Sequence, residues 1–166
     1  MLIVRATKKL LDRLGPPAPD VEQASTTLLG DWYATVWFWR PQAALLVSEV
    51  TLLPVLMPLA PAVTFLQRLG PELAAVLVAH GAPAEFIDAE LQEMERVRLA
   101  KTASRSVVGI MNEFTHLADA WRQDEPDMLA LAVRLATTPC SPLYKRHISP
   151  DRELAALVAD RPHSPR

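Results

Sequence analysis

Proline sets the outline of this chain. Fifteen prolines stand against five glycines in 166 residues. A proline fixes φ and lacks an N–H, so it is kept out of helix interiors and central strands. Each one therefore marks where a regular element starts, stops or bends. Pro16, Pro17 and Pro19 predict a long early loop. Pro54, Pro58 and Pro61 predict a switch from strands to helices, and Pro139, Pro142 and Pro150 the C-terminal connections.

Between these marks the periodicity changes once. Met1 to Thr7 reads as a short strand, followed by a helix over Lys8 to Leu14 with Thr7 as N-cap and Gly15 as terminator. Gly30 to Arg40 is the strongest strand signal, since Trp32, Tyr33, Thr35, Val36, Trp37, Phe38 and Trp39 are aromatic or β-branched. Arg40-Pro41-Gln42 predicts a turn and Ala44 to Val50 a returning strand. Leu52 to Met57 reads as a third short strand, forced to an edge or bulge by Pro54. From Pro61 the apolar residues step by three or four, with a break or kink expected at Gly70-Pro71 and a stop at Gly81. An acidic helix is expected over Pro83 to Arg96, and Val97-Arg98-Leu99 alternates like one more strand. Helices are expected over Ser104 to Trp121, Pro126 to Ala136 and Pro150 to Ala159.

Strands gather early and helices late. That order predicts one α+β domain over residues 1–160 with a frayed tail at 161–166. Its expected core is a small antiparallel sheet of three or four strands, the N-terminal strand plus the hairpin. The helical C-terminal two-thirds would cover one face.

Composition narrows the function. Half of the residues are hydrophobic and 22% are charged, which excludes wholesale disorder. A net charge of −2 and a pI near 6.1 oppose a generally basic nucleic-acid surface. The lone Cys140 excludes an internal disulfide framework and a multi-cysteine zinc site. The apolar stretch from Ala43 to Ala62 carries Glu49 and three prolines, so no membrane span is expected there. The N-terminus lacks the long apolar run of a signal peptide. A cytoplasmic location is the expectation. His80, His116, His147 and His163 lack metal-ligand spacing, and phosphate-loop, dinucleotide and hydrolase-elbow motifs are absent. No metal and no cofactor is expected.

The densest polar motif is the segment from Lys101 to Asn112. Lys101, Ser104, Arg105 and Ser106 crowd a helix start, where unpaired N–H groups and the helix dipole favour an anion. Within the helix, Arg105, Gly109 and Asn112 share one stripe. Glycine inside a helix costs roughly 1 kcal/mol relative to alanine, so a close approach of a packed element or a ligand is expected at Gly109.

Several segments carry a resemblance. TKKLL at 7–11, LGDWYA at 29–34, Glu49 with Thr51-Leu52, KTxSRSVxGxMN at 101–112 and PLYK at 142–145 resemble a small, mostly bacterial family catalogued as a domain of unknown function. The resemblance covers the chain from its N-terminus to about Lys145. It implies kinship and no particular chemistry. Family members often carry Asn where this chain has Ser104, which keeps a polar side chain at that position.

Other candidates lie in the hairpin. Asp31 and Glu49 sit at its paired ends, where two carboxylates suit acid–base chemistry or a salt bridge to Lys101 or Arg105. Trp32 and Tyr33, next to Asp31, are candidate ligand contacts, although aromatic rings in a strand more often form core. Glu85, Asp88, Glu90, Glu93 and Glu95 read as one solvated acidic face. Three functions follow in order: a binding module for an unknown protein partner, an enzyme or sensor for a small anionic ligand, and, well behind, a nucleic-acid binder.

Overall fold

The structure, a computed structural model, describes residues 1–19 and 23–161. The expected tail, apart from Arg161, lies outside the described residues, as does His163. The strands are β1 (Leu2–Ala6), β2 (Trp32–Trp37), β3 (Ala43–Ser48), β4 (Pro54–Pro58) and β5 (Val97–Lys101). The helices are α1 (Lys8–Leu14), α2 (Phe65–Ala79), α3 (Ala84–Glu93), α4 (Arg105–Trp121), α5 (Met128–Leu135) and α6 (Pro150–Ala159).

The fold is α+β, but the sheet differs from the expected one. Its five strands run in the order β4-β3-β2-β1-β5. β1 pairs in parallel with both β2 and β5, while β3 is antiparallel to β2 and β4. The hairpin was legible because a turn joins neighbouring partners. The parallel pairs join Val4 to Trp32 and Leu2 to Val97, and separations of that size leave no local signature.

Helices also cover both faces, not one. Leu2, Val4, Trp32, Ala34, Leu46 and Val55 meet α1, α2, α3 and α6 through Leu10, Phe65, Leu73, Phe86 and Leu154. On the other face Tyr33, Trp37, Leu45 and Val47 meet α4 and α5 through Val107, Ile110, Phe114 and Leu131. The sign of two-sided burial is in the sequence. β3 reads AALLVS and is buried at every position, the continuous apolar run typical of strands covered on both sides. Each such Leu or Phe side chain contributes roughly 1.5–3 kcal/mol on burial.

α2 continues through Pro71 as one helix, so the run is not broken into two. A residue before proline is pushed out of the helical region by contacts of the proline Cδ with its N–H and its Cβ. Gly70 has no Cβ, which removes one of these two contacts. Thr7 stands at the N-cap of α1 but makes no side-chain cap; its hydroxyl donates to Thr35 Oγ1 at 3.2 Å. The stretch Ala62–Ala79 is long and apolar enough to cross a bilayer by length and composition. Here Phe65, Leu69, Leu73 and Leu77 bury that apolar stripe in the core. Prolines guard both sheet edges. Pro54 and Pro58 bound β4, and the segment around Pro17 and Pro19 lies along β5, where the Ala18 amide donates to the Leu99 carbonyl at 2.9 Å.

Candidate functional site

The strand order places a crevice at one end of the sheet. β1 and β5 are adjacent and parallel. The chain leaving β1 enters α1 on one face, and the chain leaving β5 enters α4 on the opposite face. Where connections part in this way, the loops separate and leave a cleft at the carboxyl ends of the strands. A cavity of about 380 Å³ lies there, lined by Arg5, Pro17, Pro19, Ala100, Lys101 and Thr102 among others.

Arg5 is the centre of this end. Alternation along β1 sends Val4 and Ala6 into the core and Arg5 to the opposite face. Its Nε–H donates to Asp31 Oδ2 at 2.7 Å, and its Nη1 donates to the Lys101 carbonyl at 3.1 Å. Asp31 Oδ1 accepts from the Ser25 hydroxyl at 2.7 Å, and Ser25 Oγ accepts from the Ile3 amide at 2.9 Å. The guanidinium is thus fixed on two sides, by a carboxylate from the start of β2 and by the end of β5. Such a fixed cation is preorganised for recognition.

The residues singled out around the start of α4 divide. Lys101 lines the crevice and is exposed. Ser104 is the N-cap: its Oγ accepts from the Val107 amide at 3.3 Å, and its own amide donates to the Tyr33 hydroxyl at 3.0 Å. Arg105, Ser106 and Asn112 are exposed on α4. Gly109 is also exposed, and a Cβ placed on it would have nothing within 4 Å. The expected close approach of a packed element at Gly109 is therefore wrong. The apolar residues at helical spacing, Val107, Ile110, Met111, Phe114 and Ala118, take the buried side of α4, and Gly109 lies away from it.

Trp32 and Tyr33 point to opposite faces and both are buried. Neither presents its ring to the crevice; only the Tyr33 hydroxyl reaches its neighbourhood, through Ser104. The Trp32 Nε1 is buried without a hydrogen-bond partner among the described residues.

Asp31 and Glu49 are neighbours without forming a carboxylate pair. Asp31 is buried against Arg5, whereas Glu49 is exposed and its Oε2 accepts from the Asp31 backbone amide at 3.2 Å. One balances a cation and the other caps backbone. The backbone between their strands is tight. Gly30 has φ of 75°, and a Cβ there would meet Val50 Cγ2 at 2.9 Å and Glu49 Oε2 at 3.2 Å, so only glycine fits this approach.

The acidic face of α3 is not uniformly solvated. Glu90 is 1% exposed, and its carboxylate accepts from the Leu28 amide at 2.6 Å and the Leu29 amide at 3.3 Å. Burial pushes its carboxyl up from the ordinary value, and the two amides oppose that rise. Cys140 is buried and its thiol is pushed up to about 12, first by burial and then by Glu113, which makes it a poor nucleophile. Burial holds His80 below the usual histidine range, with Asp151 opposing. Among the described residues no three His, Cys, Asp or Glu side chains group as metal ligands.

Sequence reading missed Arg5. The available signal was a single cation inside the otherwise apolar run of LIVRA. It also missed a larger cavity of about 790 Å³ between Phe38–Pro41 and the connection from α4 to α5, which no local motif announces.

These features define an α+β protein built on a mixed five-stranded sheet, with a polar crevice at the carboxyl ends of two parallel strands. The chain belongs to the family described as Domain of unknown function (DUF6933), which it matches over residues 3–153. No curated protein and no solved structure matches it.

Proposed function

We propose that this protein is a single-domain cytoplasmic binding module that holds a small anionic ligand, phosphate-bearing or nucleotide-like, in the crevice between β1 and β5. One observation carries the reading: Arg5 and Lys101 both line a cavity where the connections from two parallel strands diverge. A ligand there meets two cations of different kinds. Arg5 is oriented by Asp31, while Lys101 is a mobile point charge. Thr102 adds a hydroxyl at the same wall. The first amides of α4, Arg105 and Ser106, have no acceptor within their own helix and add the positive end of its dipole. The Arg105 and Ser106 side chains are exposed on the first turn of α4, and Asn112 is exposed about two turns along it.

Calorimetric titration with pyrophosphate and ATP tests this reading. The intact chain should bind at least one of them, and Lys101→Ala should weaken it about tenfold, the cost of one charge-assisted contact. Arg105→Ala should weaken it less. Binding unaffected by Lys101→Ala, or no binding of either probe, overturns the reading.

The alternative of nucleic-acid recognition has less support. Three of the hairpin aromatics, Trp32, Tyr33 and Trp37, are buried, and the net charge is slightly negative.

A further inference from the structure

The larger cavity has a different chemistry. It opens between the tip of the β2–β3 hairpin and the α4–α5 connection, and its walls include Phe38, Trp39, Arg40, Arg122 and Met128. Phe38 is 60% exposed, and the Lys9 ammonium lies over its ring at 5.7 Å from the centroid. Trp39 is held in place. Its ring lies 4.5 Å from that of Trp37, and its Nε1–H donates to Asp119 Oδ1 at 2.9 Å. The Arg122 guanidinium lies over the Trp39 ring at 4.5 Å.

Three carboxylates near this cleft have partners within the fold. Asp119 accepts from Trp39, Glu125 pairs with Arg134 at 3.1 Å, and Asp127 caps α5 by accepting from the Ala130 amide at 2.8 Å. Among the described residues neither Arg40 nor Arg122 has a carboxylate within salt-bridge distance. The cleft therefore combines flat apolar faces with two guanidinium groups, neither in direct ion-pair contact, on a wall that Glu125 and Asp127 share. Its volume falls within the range of small-molecule sites, about 300–1,000 Å³. A flat ring stacks favourably on an aromatic face or on a guanidinium plane, and a guanidinium binds an oxyanion with two parallel hydrogen bonds.

We propose that the cleft formed by Phe38, Trp39, Arg40, Arg122 and Met128 binds a planar aromatic ring that carries an anionic group. The ring lies against the Phe38 face or the Arg122 plane, and the anion meets Arg40. This site is separate from the crevice at the carboxyl ends of β1 and β5, and it stands whether or not that crevice binds an anion.

The test follows the Trp39 indole N–H resonance by NMR during four titrations: adenosine monophosphate, indole-3-acetate, adenosine and inorganic phosphate. The two ring-bearing anions separate a nucleotide from an aromatic acid, and the other two supply ring or charge alone. At least one ring-bearing anion should move the Trp39 signal with a Kd below about 1 mM. Adenosine and phosphate should each bind at least about tenfold more weakly, because each lacks one of the two contacts. Arg122→Ala should weaken binding about tenfold. Arg40→Ala, at an exposed position, should do the same without touching the Trp39 stack. Lys101→Ala should leave the Trp39 response unchanged, which distinguishes this site from the crevice. The proposal is overturned if neither ring-bearing anion moves the Trp39 signal at about 10 mM. It is equally overturned if the response survives intact in both arginine variants, or if phosphate alone binds as well as the full ligand.

Discussion

Two buried carboxylates hold the segment that leads into β2, and they do it by different physics. Asp31 is 6% exposed and faces the Arg5 guanidinium at 2.7 Å, with the Ser25 hydroxyl on its second oxygen. Glu90 is 1% exposed and accepts hydrogen bonds from the amides of Leu28 and Leu29, with Glu93 and Arg161 acting on it from further away. The first carboxylate fixes a cation at the crevice. The second fastens the same segment to α3 with no cation in direct contact. The difference shows where charge is kept. A carboxylate opposite a full positive charge holds that charge in place, whereas one opposed by amide dipoles bears the cost of burial itself.

Removing Asp31 should break the comparison most sharply. Asp31→Ala leaves the half-buried Arg5 without its counter-charge and frees Ser25. The expected loss is about 3 kcal/mol, in the range for stripping one partner from a buried ion pair. Urea unfolding measures it as a fall in midpoint at constant m-value. A change below about 1 kcal/mol would mean that Arg5 is satisfied by solvent and the Lys101 carbonyl, and that its position is not set by Asp31. Pyrophosphate binding should weaken in the same variant, because the guanidinium loses its orientation.

Glu90→Ala should cost less, about 2 kcal/mol, by leaving the Leu28 and Leu29 amides without acceptors. The sharper test is Glu90→Gln across pH. Burial raises the Glu90 carboxyl above its ordinary value of 4.5, so the folded state binds this proton more tightly than the unfolded state. The contribution is favourable below that ordinary value and is lost as pH rises through the folded value. The wild-type chain should therefore lose stability relative to Glu90→Gln as pH is raised above about 4.5. Parallel pH–stability curves for the two proteins would remove the contrast with Asp31.

How much of this was visible in the sequence depended on distance along the chain. The β2–β3 hairpin, α1 and the C-terminal helices were legible, because turns, caps and helical spacing act over a few residues. β5 was visible only as the short alternation at Val97-Arg98-Leu99, and its parallel pairing with β1 was not visible at all. The site divided in the same way. Lys101 and Ser104 stood out as a helix start, and Asp31 as an acid beside two aromatics. Arg5 remained hidden because its partners, Asp31 and Lys101, are 26 and 96 residues away. Glu90 was misread as a surface acid because its partners are the backbone amides of Leu28 and Leu29, which carry no side-chain signature. Prolines, Pro71 inside α2 excepted, were informative, since their constraint is local.

Gly109 offers the smallest effect and the most direct check on which side of α4 matters. In the middle of a helix, glycine gives up more backbone entropy than alanine, and here no neighbour occupies the space a Cβ would take. Gly109→Ala should stabilise the protein by up to about 1 kcal/mol, read as a rise of a few degrees in melting temperature. It should leave pyrophosphate binding unchanged, because the crevice is lined by Arg5, Lys101 and Thr102 at the other end of the connection into α4. A destabilised variant would show that a neighbouring group does reach Gly109 in solution. A stable variant with weakened binding would extend the ligand along the exposed stripe of Arg105, Gly109 and Asn112. Unchanged binding with raised stability would confine recognition to the end of the sheet, where the two parallel strands part.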